Sequence, residues 1–419
     1  MAVVSGGLRT VEEQLADVLA AVRPLRTRTA GLADAAGCVL REAAIARGGI
    51  PDFDNSAMDG FAVRFDDVAT ASAERPVDLA VIADLPAGTA DDPHLTPGEA
   101  ARIMTGSPVP SSADTIVPFE DTAGGLDDSL TTARVLAAPA RRGMFVRRAH
   151  DDIRPGDTVL DAGTLLGPRQ LAALAAADIA RVTISESPRV VVISTGSELV
   201  EPGFPRIRGQ IPESNGLLLE ALSRQAGGTI IRRVHVDDGG AAFRHEIAAA
   251  TTGGSRADVV ITSGGVSAGA YEVVKTELGD ALRFSRVAMQ PGKPQAFGVL
   301  PSGTLVFGLP GNPVSAAVSF EVFVRPALLA LQGRSDLRRP ALRLPAAESW
   351  RTPPGRRQYL PAVVDRTDPA GWSVRPATPG GSGSHLAGAL ALAEAYAVVP
   401  EETAVVEPGD LIDVVLLEG

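Results

Sequence analysis

From Pro188 to Gly333 the chain alternates apolar runs of strand length with longer runs of helical spacing, and this rhythm constrains the fold more than any other feature. "RVVVISTG" (189–196), "TIIRRVHV" (229–236), "ADVVITSGG" (257–265) and "TLVFGLPG" (304–311) read as strands, the first a continuous buried run. Between and after them, "ESNGLLLEALSRQAGG", "AAFRHEIAAATTGG", "AYEVVKTELG" and "NPVSAAVSFEVFVRPALLALQG" read as helices. The helix after the first strand takes Ser214 or Asn215 as its cap and stops at Gly227. Strand and helix in strict alternation give a mostly parallel sheet with helices on both faces, an α/β domain.

The flanks read differently. At 419 residues the chain exceeds one ordinary core, and three to four domains are expected. Thr10-Val-Glu-Glu13 is a capping box ahead of Leu15, Val18, Leu19 and Val22 at helical spacing, and Pro24 ends that helix. From about 60 to 150, short alternating runs rich in Val, Thr, Pro and Gly indicate small strands and turns. "GPRQLAALAAADIARVTI" (167–184) returns to helix and leads into a strand, so the first region resumes after a β-rich insertion. Beyond "GRSDLRRP" (333–340) the chain is β-rich to its end. A net charge of −11 argues against a nucleic-acid partner. The single cysteine, Cys38, excludes an internal disulfide and fits a reducing cytoplasm. No membrane-length apolar run or signal pattern is visible, so a cytoplasmic location is expected.

Chemistry is expected beyond the carboxyl ends of the parallel strands, where open α/β sheets bind ligands. Three loops there are rich in small residues: "STGSEL" (194–199), "TSGGVSAG" (262–269) and "GLPGNP" (308–313). Thr195, Gly196, Ser263, Gly264, Gly265, Ser267, Gly269, Pro310, Gly311, Asn312 and Pro313 are the candidate ligand-binding residues. The last two loops lead into helix N-termini, whose bare N–H groups and dipole favour an anion, and Asn312-Pro313 suits the cap and first position of the final helix. None of the loops is a phosphate loop of nucleotide triphosphatases or a dinucleotide fingerprint. Only two of the 39 basic residues are lysines, Lys275 and Lys293, and Lys293 sits in the rigid turn "QPGKP" (290–294), where an ammonium can face an oxyanion. Asp237 and Asp238, at the end of the second strand, with Glu198 and Glu272, could form a hard-oxygen site for Mg²⁺ completed by phosphate oxygens. Each acid taken singly is also what a solvated loop carries. The five histidines show no zinc spacing.

Together with "FDNSAMDGFAV" (53–63) and "RIMTGSPVP" (102–110), the motifs "STGSEL", "TSGGVSAG", "QPGKPQAFG" and "GLPGNPVSA" occur in the order seen in the MoeA family. The chain therefore resembles the molybdopterin molybdenumtransferases, whose relatives include the gephyrin E domain, from about residue 8 to its end. The resemblance implies a MoaB/MogA-like α/β domain at 188–335, a discontinuous helical segment at 1–50 and 155–187, a β-rich insertion at 51–154, and a C-terminal β-barrel at 340–419. It implies a homodimer in which the insertion of one subunit completes the cleft of the other, with Asp59 and Thr105 presented across the dimer. The implied reaction cleaves adenylylated molybdopterin, releases AMP and inserts molybdenum from molybdate, with Mg²⁺ present. Asp59, Glu198, Asp238 and Lys293 would carry catalysis, Asp237, Asp238, Glu272 and Glu198 the metal, and Ser384 would reach the pterin or oxyanion. A MogA-type adenylyltransferase and molybdoenzyme apoproteins are the implied protein partners.

Three departures stand out against the family pattern. Glu272-Val273 replaces an Asp-Tyr pair, Gln290 replaces a lysine, and His150 replaces a glycine. Other readings are an adenylyltransferase, which shares the α/β domain but not the flanks, a non-catalytic dimeric scaffold, and a tungstate-preferring paralogue.

Overall fold

The computed structural model describes residues 7–127, 130–254, 256–266, 272–368, 371–378 and 387–417. Its central sheet is built from β1 (Arg189–Thr195), β2 (Thr229–Val236), β3 (Val259–Ser263), β4 (Arg283–Arg286), β5 (Pro294–Val299) and β6 (Leu305–Leu309), in the order β2-β1-β3-β6-β5-β4. The first four of that order are parallel, as expected, while β5 is antiparallel to both its neighbours, β6 and β4. The strand order reverses between β1 and β3, which opens a crevice beyond their carboxyl ends.

The central strands β1, β3 and β6 are largely apolar and buried because both faces are covered, while the edge strands β2 and β4 carry exposed arginines. Val190 and Val192 of β1, with Ile261 and Phe307, pack on one face against α1 (Asn215–Gln225) and the long helix Pro313–Leu331. Val191, Ile193, Val260 and Val306 face the other way, toward α2 (Ala241–Thr251) and α3 (Val273–Leu278). The helix Pro313–Leu331 is long and apolar enough to cross a membrane by composition, yet it is the core helix here, with Val314, Val318, Phe320, Phe323 and Leu328 all buried. Its middle turn, Phe320–Val324, widens to π geometry.

The first segment holds both expected helices, Val11–Ala21 and Pro168–Ala176, and adds short strands to them. The capping box holds, with Thr10 Oγ1 accepting the Glu13 N–H and Glu13 accepting the Thr10 N–H. The helix Val11–Ala21, however, buries Val11, Val18 and Val22 in the core of the α/β unit. Residues 27–50 and 153–184 instead share a separate core around Leu40, Leu166, Leu174 and Ile184, built largely from paired short strands with one helix, Pro168–Ala176. The insertion between them holds a five-stranded sheet whose core centres on Phe61, edge-on to Phe119 at 5.2 Å. The C-terminal unit is a six-stranded sheet over one apolar core, and it includes the pair Met289–Gln290 borrowed from the lysine turn. That pairing brings the C-terminal unit against the crevice. An ion pair reinforces the contact: Arg339 donates to both carboxylate oxygens of buried Glu321, at 2.7 and 3.2 Å.

Candidate active site

The crevice at the strand-order reversal is a cleft of about 1020 Å³. Thr195, Gly196 and Glu198 line it from the loop after β1, and Ser263, Gly264 and Gly265 from the loop after β3. Pro310, Gly311, Asn312 and Pro313 come from the loop after β6, Lys293 from the lysine turn, and Arg356 and Ala387 from the C-terminal unit. The three Gly-rich loops therefore converge, as their place at the carboxyl ends of parallel strands predicts.

Backbone closeness explains the glycine at 264. Its φ is +92°, and a Cβ there would lie 2.7 Å from the Thr195 carbonyl oxygen, while its N–H donates to the Leu309 carbonyl at 3.0 Å. A side chain at this position would push β1, β3 and β6 apart where their loops meet. Asn312 takes the cap position and Pro313 the first turn of the helix that follows.

The acids divide. Glu198, Asp238 and Glu272 line the cleft. Asp238 is held by Ser197, whose N–H and hydroxyl both donate to its Oδ2 at 3.0 Å. Asp237 is not among the lining residues: it is exposed, and its Oδ1 accepts the Gly239 N–H at 3.0 Å, closing a local turn. The expected quartet of metal ligands is thus not assembled, and among the described residues no three carboxylate, histidine or cysteine side chains form a metal cluster. Ser267, Gly269 and Ser384 lie outside the described residues.

Asp59 and Thr105 meet each other, away from their own chain's cleft. The Thr105 N–H and hydroxyl donate to Asp59 Oδ1 at 2.6 and 2.8 Å, and both residues are exposed. The Thr105 N–H first, and then its hydroxyl, hold the Asp59 carboxyl below the usual carboxylate range. The other acids of the same segment anchor loops: Asp52 accepts the Gly49 N–H, and Asp54 accepts the Ala149 N–H and pairs with Arg148.

Three residues overlooked in the sequence belong to the cleft. Arg356 lines it and donates to Gln290 Oε1 at 2.8 Å, so the neutral residue at 290 holds a guanidinium beside Lys293. Glu213, 2% exposed, accepts the Ser194 hydroxyl at 2.8 Å and the Gly216 N–H at 2.6 Å. Asn215 does not cap its helix: its amide nitrogen donates to Ser263 Oγ at 2.7 Å and to the Gly311 carbonyl at 2.6 Å, tying two of the loops to α1. Asparagine occurs only at Asn55, Asn215 and Asn312, and that rarity was the one available signal. At the third departure, His150 adopts a positive φ of 64°, and its ring occupies the space a side chain at Gly49 would need.

Similarity to known proteins covers nearly the whole chain. Residues 9–177 match the family model "MoeA N-terminal region (domain I and II)", 191–330 "Probable molybdopterin binding domain", and 343–417 "MoeA C-terminal region (domain IV)". A relative named molybdopterin molybdenumtransferase 2 from Mycobacterium tuberculosis (strain ATCC 25618 / H37Rv) is 42% identical, over 97% of this chain and 99% of its own. Molybdopterin molybdenumtransferase from Haemophilus influenzae is 33% identical over 93% of this chain and 94% of its own. The solved molybdopterin biosynthesis moeA protein of Pyrococcus horikoshii OT3 superposes with a TM-score of 0.82 at 26% identity, covering 98% of this chain and all of the other.

Proposed function

The chain belongs to the MoeA family, and from that premise we propose that its cleft binds adenylylated molybdopterin and molybdate, cleaves the phosphoanhydride, releases AMP and leaves molybdenum on the dithiolene. It is a transferase of molybdenum cofactor biosynthesis. The observation that carries the finer reading is the convergence of three small-residue loops, two cations and four carboxylates in one cleft walled by the α/β and C-terminal units.

Cleavage of a phosphoanhydride asks a protein chiefly for charge stabilisation and alignment. Lys293 and Arg356 supply two positive charges on one side, and Gln290 fixes the guanidinium. Loop N–H groups and the start of the helix at Pro313 complement phosphate oxygens. Thr195 and Ser263, Gly264 and Gly265, and Pro310 through Pro313 form the substrate-binding surface. Ser267, Gly269 and Ser384 complete that assignment on the strength of the motifs alone.

The donor set suits a Mg²⁺ ion carried by substrate phosphates and does not suit an all-protein cage, because four carboxylates line the cleft without forming a cluster among the described residues. Glu198, Asp238 and Glu272 are the residues that would hold it, and Asp237 is the weakest member of the set. Bound there, the ion would neutralise developing charge on the phosphate oxygens.

Asp59 and Thr105 act in the cleft of a second copy of the chain, in a homodimer. Their exposure and their absence from their own cleft support this reading. Asp59, kept ionised by Thr105, orients molybdate or the attacking water. The protein works in the cytoplasm, receiving substrate from an adenylyltransferase and passing cofactor to apoenzymes.

The deciding experiment is AMP release by the purified protein from adenylylated molybdopterin, with Mg²⁺ and either molybdate or tungstate. Oxyanion-dependent release with formation of active cofactor is expected. Tight pterin binding without release would replace the transferase reading with a carrier or scaffold, and a response to tungstate alone would name the other metal.

A further inference from the structure

The turn that carries Lys293 into the cleft is tied from behind by Gln295, the second residue of β5. Gln295 is 3% exposed, and its backbone lies in the sheet opposite Ser285 of β4. Its amide nitrogen donates to the Gly292 carbonyl at 2.7 Å and to Ser319 Oγ of the core helix Pro313–Leu331 at 2.6 Å. A carbonyl carries no proton, so the NH₂ and not the amide oxygen faces Gly292. The next carbonyl is held too: that of Lys293 accepts the Val287 N–H at 2.8 Å. Gly292 has a φ of +105°, and a Cβ on it would lie 3.0 Å from both Ser319 Oγ and the Met289 side chain. The turn is closely packed where the glutamine grips it.

We infer that Gln295 is a positioning residue for Lys293, an assignment that rests on Lys293 acting on an anionic substrate in the cleft. Lysine carries its charge at the end of a flexible four-carbon stem, so the backbone directs it chiefly through the Cα–Cβ bond. The peptide planes on either side of Lys293 set the direction of that bond. The Gly292 carbonyl belongs to the plane before it, and the Lys293 carbonyl to the plane after it. Gln295 fixes the first and Val287 the second, and both of these residues are buried. Gln295 is not among the described residues that line the cleft, so its effect on the reaction passes through the lysine. An apolar side chain of similar size would fill the same space and leave the Gly292 carbonyl without this donor.

The chain has only two lysines, Lys275 and Lys293, so protein labelled with ¹⁵N-lysine gives two lysine backbone amide signals, which Lys275→Arg assigns. The test compares the full-length protein with Gln295→Leu. In the unsubstituted protein the Lys293 amide should have the order parameter of rigid backbone, about 0.85. In Gln295→Leu it should drop below about 0.6, with the Lys275 signal unmoved. The kcat for AMP release from adenylylated molybdopterin should fall about tenfold or more. Added to Lys293→Ala, the same substitution should cost less than about twofold, whereas a general packing role would cost as much in either background. A mobile Lys293 amide in the unsubstituted protein overturns the inference, whether or not the variant folds. So does a folded Gln295→Leu protein in which the amide stays rigid or release is undiminished, and so does a full further loss on top of Lys293→Ala. In those cases AMP release by the unsubstituted protein leaves the cleft reading standing. No release from the unsubstituted protein overturns the cleft reading, and this inference with it.

Discussion

Replacing Glu213 by alanine should loosen the wall of the cleft, because it removes a buried carboxylate that ties two segments together. The carboxylate is buried, and its Oε1 satisfies two donors at once: the hydroxyl of Ser194, itself 1% exposed, and the backbone N–H of Gly216 in the first turn of α1. Arg233, 3.6 Å from Oε2, would not be stranded, because Glu220 at 3.0 Å and Glu201 at 3.6 Å remain. The loss is therefore that of two buried donors. Each is worth about 1–3 kcal/mol when left unpaired, and partial entry of water brings the sum to about 2–4 kcal/mol. At 1.36 kcal/mol per tenfold, amide exchange in Asn215–Gln225 should accelerate about 30- to 1,000-fold. Exchange followed peptide by peptide is the suitable assay, since a multidomain chain has no single unfolding free energy. Glu213→Gln keeps an acceptor in place and should cost about tenfold at most. If the alanine variant keeps protection in Asn215–Gln225 within about threefold, Glu213 is not the anchor described, and the reasoning fails.

At Gly264, alanine faces both a φ of +92° and a carbonyl 2.7 Å away, so AMP release should fall about tenfold or more while the C-terminal sheet keeps its exchange protection; undiminished release would show that the loops need not touch. Thr105→Val removes the second of two donors holding the Asp59 carboxyl low, so that carboxyl should titrate at higher pH. The folded-state value lies below the unfolded one, so any stability it confers is present above the unfolded value and lost as pH falls through the folded one. In the variant that loss should begin at higher pH, and carboxyl ¹³C chemical shifts measured against pH would reveal an unchanged titration. Mixing Asp59→Asn with Lys293→Ala subunits in equal amounts should restore about a quarter of full activity, since half the dimers are hybrids with one intact cleft each. No recovery, with hybrid dimers shown to form, would place Asp59 in its own chain's site.

The α/β unit was legible because its strands and helices announce themselves by period: doubly covered strands are apolar runs, and helices repeat every three to four residues. The antiparallel edge was not. Pro294–Val299 was hidden behind the lysine turn, and its pairing with Arg283–Arg286 is a register between segments that neither one encodes alone. The two helices of the first segment were legible, but its short strands were not, for the same reason. Strands of two to five residues, such as Ala44–Ile45 and Thr27–Gly31, are too short to show alternation and exist through distant partners at Thr158–Leu160 and Arg181–Ser185.

In the site, local chemistry spoke through glycine. A loop that must bring backbone to a ligand spends small residues at fixed places, so "TSGGV" and "GLPGNP" were visible as candidate ligand loops before any fold was known. Polar residues whose partners are remote were not. Glu213 looked like an acid ahead of a helix, Asn215 like its cap, and Arg356 like one of 37 arginines. By itself the sequence determined the parallel sheet and the small-residue loops gathered at one end of it, because propensity, periodicity and turn chemistry act over a few residues. Only the tertiary structure decided which acids share the cleft, that Asp237 turns away, and that Gln290 holds a guanidinium from the C-terminal unit. Those outcomes depend on distances between segments far apart in the chain, which packing alone sets.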